Sequence, residues 1–445
     1  MILILQIQRF LLFHATVELL WSHGKIYKMN FKLRLVRNLI VEVITLQLMC
    51  SNIGITLIRK INYRRFWKNL RNSNFYRDYK IFDKLPLGDK SLLMGHFEAI
   101  NTLQLNKEEA FNVGISAERG ERSNSVIGDI TIGLSSGTSG NRGIFLVSPI
   151  ERAQWVASVV MRVIGFQRKK RSVAFFLRAN SELYESVKSN LLEFVYYNIF
   201  TQLDIHWKEL ENTQPDIIVA QPSVIKQLIL ISKANHCPWN VQKIISVAEV
   251  LTEEDEKYIS QWAKIPVHQV YQCTEGFLAH TCKKGNLHWN SDSIIIEKEW
   301  LNSTQYLPRI TDLKRTTQPI VRYKMNDIIT EGACSCNLKS EVIAHIDGRM
   351  DDVFEWTDLN GNMIQVFPDF LRRTIVFAHD QIKDYSLVKS GEDVSLWVDG
   401  GSECFESAKL ALEKLLLQKE VKTTIYSRDA PWTSKNGKRK RIVVL

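Results

Sequence analysis

The chain has 445 residues, 45% of them hydrophobic and 24% charged, a balance that supports packed cores and excludes a disordered chain. Its 21 Gly and 10 Pro exclude collagen-like and proline-rich architectures, and seven Cys are too sparse for a disulfide scaffold, which points to a reducing, cytoplasmic setting. The charge sum, 58 − 48 = +10, suits a protein that meets anions, and the length predicts two to four domains at roughly 100–200 residues each.

Residues 1–20 are mostly apolar. They carry Arg9 and Glu18 and lack the basic start and cleavage site of a signal peptide. Residues 38–58 form an apolar stretch between Arg37 and Arg59, about as long as a bilayer is thick. Glu42, Gln47 and Asn52 are costly in hydrocarbon. An amphipathic helix, packed on the protein or lying on a membrane surface, is therefore expected rather than a span. Met29 is an alternative start. We treat 1–60 as an apolar, basic N-terminal helical extension.

From about residue 125 the chain alternates strand-like and helix-like segments. Residues 126–134 and 143–147 read as strands. Ser148-Pro-Ile-Glu151 reads as a capping box with Pro at the first helical position. Residues 173–177, 216–220, 243–247 and 267–271 read as further strands. Pro222 opens a helix to about Ala234, and Thr252-Glu-Glu-Asp255 opens another to about Ala263. This alternation predicts an α/β fold with a mostly parallel sheet covered by helices. The last part reads as a small α+β domain with helices over 366–377 and 403–418. The expected units are a large domain over 61–347 and a small mobile one over 348–445.

The segment Gly133-Leu-Ser-Ser-Gly-Thr-Ser-Gly-Asn-Arg-Gly143 is rich in small and hydroxyl residues. Such residues let backbone N–H groups approach a phosphate closely. No Gly-Lys-Ser/Thr follows, so it is not a Walker loop. Gly133-x-Ser135-x-Gly137 fits the hydrolase nucleophile elbow literally, but that motif needs a helix next, and a strand-like segment follows. Four more segments sit at strand ends or the domain boundary: Ser246-Val-Ala-Glu249, Tyr271-Gln-Cys-Thr-Glu275, 320–327 ending in Asp327, and Asp347-Gly-Arg-Met-Asp-Asp352. Ligands of open α/β sheets bind outside the carboxyl ends of the strands. A Glu there suits magnesium on a nucleotide phosphate, and an Asp suits ribose hydroxyls.

The ordered set resembles the adenylate-forming superfamily of acyl-CoA synthetases and adenylation domains. The branch it is most similar to holds phenylacetate–CoA ligase, CapK-like capsular-polysaccharide proteins and the deazaflavin-coenzyme (coenzyme F) adenylyl synthetases. The resemblance implies a two-domain fold and a substrate pair of ATP and a carboxylic acid. It places Ser135, Ser136, Gly137, Thr138, Ser139 and Gly140 around the ATP phosphates, and Ala248, Glu249, Tyr271 and Gln272 beside the adenine. It assigns Thr274 and Glu275 to phosphate and magnesium, Asp327 to the ribose with Arg349 assisting, and Asp351 or Asp352 to a hinge. Gly437-Lys438-x-x-Arg441 matches the motif whose Lys, here Lys438, bridges carboxylate and α-phosphate. Arg142 stands where relatives often have Lys.

The expected function is ATP-dependent ligation: acyl-AMP forms with release of pyrophosphate, and the acyl group passes to CoA or another thiol or hydroxyl acceptor. The alternatives are AMP transfer to a hydroxyl acceptor and a non-catalytic nucleotide-binding scaffold in surface-polysaccharide assembly. No nucleic-acid partner is expected, and peripheral membrane contact through the N-terminal region stays open. Cys334-Ser-Cys336 with upstream Cys282 and His288 would give zinc a Cys3His site, with His280 as an alternative ligand. The resemblance implies that this zinc is structural. Trp155, Phe166, Phe175, Phe176 and Tyr184 are candidates for an acyl pocket or for plain core.

Overall fold

The computed structural model describes residues 31–118, 125–135, 142–165, 169–177, 192–199, 201, 203–236, 239–357, 363–379, 381–382, 384–421, 423–434 and 440–445. Helix α1 (Phe31–Leu48) and helix α2 (Asn52–Leu70) flank a turn at Met49, Cys50 and Ser51. The apolar stretch over 38–58 is thus divided between two helices. The break has a local cause. Ser51 caps α2 by accepting from the Gly54 amide, and a Cβ at Gly54 would lie 2.2 Å from the Leu48 carbonyl oxygen. Among the described residues no helix is long and apolar enough to cross a membrane.

Short helices α3 (Lys90–Gly95) and α4 (Phe97–Ile100) lead to α5 (Lys107–Glu118). Strands β1 (Val126–Ile127), β2 (Ile130–Leu134) and β3 (Ile144–Val147) form a small antiparallel sheet. The Gly/Ser/Thr loop therefore joins two strands, and the nucleophile-elbow reading lacks its helix. Helix α6 (Pro149–Ser158) starts on a complete capping box of Ser148 and Glu151 and runs into a π-helical turn, Val159–Ile164. Glu151 also accepts from the amides of Thr316 and Thr317 at 2.7 and 2.9 Å, so one buried carboxylate pins the helix start to a distant loop.

The α/β alternation follows as expected: β4 (Arg171–Leu177), β5 (Leu192–Asn198), α7 (Leu203–Thr213), β6 (Ile217–Ala220), α8 (Pro222–Ala234), β7 (Lys243–Ser246), α9 (Glu253–Ala263) and β8 (Val267–Cys273). Neighbouring strands here pair in parallel, in the order β5-β4-β6-β7-β8. Both faces are packed. Ala174, Phe176, Ile218 and Ile244 point one way with Leu228 and Ile259, and Val173, Phe175, Val219 and Ile245 point the other with Val156 and Val163.

At β8 the sheet changes character. Strands β9 (Gly276–Thr281), β10 (Leu287–Trp289), β11 (Ile294–Trp300), β12 (Gln305–Asp312), β13 (Tyr323–Lys324), β14 (Asp327–Gly332) and β15 (Val342–Arg349) continue it antiparallel. Asp327, expected after an apolar strand, instead begins β14. Ile320 and Val321 are buried in the connection, where Arg322 has a φ of 43°. The C-terminal part has β16 (Phe354–Thr357), β17 (Met363–Val366), α10 (Pro368–Val376), β18 (Tyr385–Ser390), β19 (Asp393–Val398), α11 (Gly401–Gln418), β20 (Ile425–Ser427) and β21 (Ile442–Val444). Its sheet, β20-β19-β18-β21, shares a core with α10 and α11 built from Phe354, Leu371, Leu396 and Leu412.

Candidate active site

The parallel strands β6, β7 and β8 all end at one cleft of about 1110 Å3. Gln221 and Ser223, Ala248 and Glu249, and Gln272 to Glu275 follow those strand ends and line it. This is where an open α/β sheet exposes its ligand site. Ala248 adopts a φ of 65°, a left-handed conformation that a non-glycine residue holds only when its surroundings enforce it. The turn lets Glu249 reach back to accept from Ser223 Oγ at 2.8 Å.

Tyr271, Asp327 and Arg349 converge on one wall. Asp327 and Arg349 are paired across β14 and β15, and the Arg349 Nε lies 3.9 Å from Asp327 Oδ1. The Tyr271 hydroxyl donates to Asp327 Oδ2 at 2.5 Å. Burial, then the neighbouring Asp327 charge, pushes the Tyr271 phenol well above its usual range, so it stays a donor. Gln272 turns aside to accept from Trp155 Nε1 at 3.1 Å. Thr274 donates to Glu275 Oε2 at 2.9 Å. Burial and the Glu275 carboxylate likewise raise the Tyr323 phenol far above the usual range.

Ser135 stands at the near end of the Gly/Ser/Thr loop. Its hydroxyl accepts from the Gly143 amide at 2.7 Å, and Arg142 Nε donates to its carbonyl at 2.8 Å. Ser136, Gly137, Thr138, Ser139, Gly140 and Lys438 lie outside the described residues, as do Phe166 and Tyr184. Of the acyl-pocket candidates, Phe175 packs on Phe194 and Phe176 stacks on Tyr197, on opposite faces of the sheet. Trp155 reaches the candidate nucleotide residues through Gln272.

The small domain closes one side of the cleft. Lys440 donates to Asp352 at 2.9 Å, Asn326 donates to Asp351 at 3.0 Å, and Arg349 lies 3.4 Å from Asp351. Burial raises the Asp352 carboxyl above its usual range, although Lys440 beside it pulls the other way. Arg441 bridges Asp255 of α9 and Asp384 of the small domain at 2.8 and 2.9 Å. Lys226 holds the same Asp255 at 2.8 Å, and Arg372 of α10 meets Glu254 at 3.0 Å.

Of these, Lys226, Arg372 and Asp384 carry no signal in the sequence. Asp255 reads there as the far member of a capping box. In the structure its amide does donate to Thr252 Oγ1, but its side chain goes to Arg441 and Lys226 instead. Lys90 also lines the cleft. Burial lowers its amine from the ordinary lysine value, with Glu275 acting against that and Arg349 and Arg142 adding to it.

Away from the cleft, Cys282, His288, Cys334 and Cys336 come together, each offering a ligand atom within 4.8 Å of the others. Cys282 Sγ lies 3.9 Å from Cys334 Sγ, and Cys336 Sγ lies 3.4 Å from His288 Nε2. The amides of Lys284 and Cys336 donate to the sulfurs of Cys282 and Cys334, both at 3.4 Å. His288 Nδ1 faces Ser340, and Nε2 is the ring nitrogen turned toward the cysteines. His280, the alternative ligand, pairs with Asn290 Oδ1 at 2.7 Å instead. The set suits a soft tetrahedral cation.

No family model and no curated protein matches the sequence. Solved structures do match. A 2-hydroxyisobutyryl-CoA ligase in the postadenylation state with 2-HIB-AMP superposes with a TM-score of 0.60 at 14% identity, covering 88% of each chain. The chain has the fold of the adenylate-forming acyl-CoA ligases. The amide bond synthetase McbA from Marinactinospora thermotolerans matches at 0.52 and 11% identity, over 72% of this chain and 69% of that one. ATP-bound MatB from Rhodopseudomonas palustris matches at 0.50 and 13% identity, over 69% of this chain and 65% of that one. At these identities the likeness is one of fold, with a large sheet-rich domain and a smaller C-terminal one.

Proposed function

We propose that the protein activates a carboxylic acid with ATP and then passes the acyl group to a thiol such as CoA. A carboxylate oxygen attacks the α-phosphorus, the bond to the β-phosphate oxygen breaks, and pyrophosphate leaves with the electron pair. The thiol, as its thiolate after losing a proton to solvent, then attacks the acyl carbon, the bond from that carbon to the phosphate oxygen breaks, and AMP leaves with the electron pair. The observation that carries this reading is the convergence of Tyr271, Asp327, Arg349, Thr274 and Glu275 on one cleft at the strand ends. In that site Asp327 would accept the ribose hydroxyls, Arg349 would hold Asp327, and Ala248 and Glu249 would flank the base. Thr274 and Glu275 would hold the phosphates and their magnesium, which offsets the charge of the leaving pyrophosphate. Ser135 to Gly140 would wrap the phosphates, and Lys438 would offset repulsion between carboxylate and phosphate.

The finer placement, beside phenylacetate–CoA ligase and the CapK-like proteins, is supported by the Cys/His cluster, which would hold a structural zinc with four protein ligands. The hinge at Asp351 and Asp352 would let the small domain turn between the two half-reactions.

The test is pyrophosphate release from magnesium-ATP across a panel of aryl, acyl and amino acids, wild type against Lys438→Ala. Release with some acids, reduced about 100-fold or more in the variant, is expected, a loss of roughly 2.7 kcal/mol of transition-state stabilisation. ATP binding without release from any acid would overturn the proposal.

A further inference from the structure

Helix α1 is inside out. Its buried residues are Arg34, Asn38, Glu42 and Thr45 together with Leu48, so the inward stripe is largely polar. Of its apolar residues, Leu35, Ile44 and Leu46 pack against the protein, whereas Leu33, Val36, Ile40 and Val43 are 59, 55, 44 and 39% exposed, at the 3-4-3 spacing of a single helix face. Glu42 of the polar stripe has its partners inside the protein. Glu42 accepts from Arg162 and Ser158 at 2.8 Å, and Lys314 reaches it at 3.1 Å. The apolar stripe faces out.

The next helix shows the complementary pattern. Its outward residues include Ile53, 68% exposed, and then Lys60, Arg64, Lys68 and the following Arg71, all exposed. No acidic residue lies in α2, and the only one from Phe31 to Arg71 is the buried Glu42. Residues 1–71 contain 12 of the 58 basic and 2 of the 48 acidic residues. That leaves 46 of each sign in residues 72–445. The whole net charge of +10 therefore resides in the first 71 residues, and the two-domain body is neutral.

We propose that the exposed apolar stripe of α1 and the basic stripe of α2 form a docking surface for an anionic lipid bilayer. Exposed Leu, Val and Ile side chains would enter the headgroup–acyl boundary while Lys and Arg meet anionic headgroups. A basic stripe alone would fit a polyanion such as RNA, but the four outward aliphatic side chains have nothing to bind there and reward burial in lipid. The proposal is independent of the catalytic reading, since no residue of α1 or α2 lines the cleft.

The test is co-sedimentation of the full chain with vesicles of phosphatidylcholine alone or mixed with phosphatidylserine, at low and high salt. Binding to the mixed vesicles is expected, weakened by salt and weak on phosphatidylcholine. Lys60→Gln/Arg64→Gln/Lys68→Gln should lower the partition coefficient by about 100-fold, at roughly fivefold per cation. Val36→Gln/Ile40→Gln should lower it separately, with the circular dichroism spectrum of both variants unchanged. The proposal would be overturned by no binding to mixed vesicles, by binding unaltered in both variants, or by RNA binding that the charge variant abolishes while vesicles bind nothing. Concentration-dependent dimerisation lost in Val36→Gln/Ile40→Gln, again without vesicle binding, would overturn it in favour of a second copy of the chain.

Discussion

Arg441 on the small domain donates to Asp255 on α9 of the large domain at 2.8 Å, and it holds Asp384 of its own domain with the same guanidinium at 2.9 Å. Burial alone would raise the Asp255 carboxyl, yet Arg441 and Lys226 hold it below its usual range, so the pair is ionised. Arg441 lies three residues after Lys438, proposed above as the catalytic lysine, and its two ion pairs hold the residue from which the chain enters β21. Arg441→Gln is therefore expected to lower the rate of acyl-AMP formation at saturating substrate by about 10-fold or more, the order of a misplaced catalytic group. The KM for ATP should barely move. Arg441→Lys should restore part of the rate. Equal losses in both variants, with a parallel drop in stability, would make the residue merely structural.

The Asp327 carboxylate, held between Tyr271 and Arg349, is the group proposed above to accept the ribose hydroxyls. Asp327→Ala removes charge-assisted hydrogen bonds of about 1.5–3 kcal/mol and should raise the KM for ATP roughly 10–100-fold. Tyr271→Phe leaves the carboxylate in place and should have a smaller effect. Initial-rate measurements at varied ATP separate the two, and an unchanged KM in Asp327→Ala would remove the ribose assignment.

What the sequence shows and hides follows from where its information lies. The parallel half, β4 to β8, announces itself through local apolar runs alternating with capped helices, and both capping sites occur at the expected residues. The candidate site residues around the cleft sit in short motifs at strand ends, so they too are legible. The antiparallel continuation β9 to β15 was harder, because its strands carry polar residues and irregular connections such as that at Arg322. The cluster of Glu42, Arg162, Asp292 and Lys314 leaves no local trace, since its members are up to 272 residues apart. Asp255 misleads for a related reason: its backbone serves the cap while its side chain serves another domain.

That cluster makes its own prediction. Arg162 is buried and bonds Glu42 and Asp292 at 2.8 Å each, with Asn290 at 2.9 Å. Removing one partner of a buried ion pair leaves the other charge desolvated, at a cost of about 3–5 kcal/mol. Arg162→Met should lower stability by that amount in urea unfolding. Lys314, itself only partly covered, still faces both carboxylates and keeps the loss at the lower end. A change under about 1 kcal/mol would show that water reaches the cluster.

The Cys/His cluster should make the purified protein retain about one zinc per chain. Cys336→Ser or a strong chelator should strip it and lower the unfolding midpoint by about 5 °C. Metal content by mass spectrometry and thermal unfolding check both. Full stability of a metal-free chain would leave the four residues as packing alone.

Asp312 closes β12 beneath the candidate catalytic turn. A Cβ at Gly276 would lie 2.8 Å from its Oδ2, and its Oδ1 accepts from the Lys314 amide at 2.8 Å. Burial pushes its carboxyl from 3.8 up to about 6, against the pull of that amide and of Arg315 and Lys314. The folded chain thus holds this proton more tightly than the unfolded one. Its contribution to stability is complete below about 3.8 and is lost as pH rises through about 6. The full loss is about 3 kcal/mol, at 1.36 kcal/mol per pH unit. Asp312→Asn keeps the acceptor for the Lys314 amide and cannot ionise. Urea unfolding at pH 4 and pH 8 should show the wild type falling relative to the variant by up to that amount. Parallel stability curves would mean that Asp312 is already ionised at pH 4, and that its neighbours, rather than its burial, set its charge.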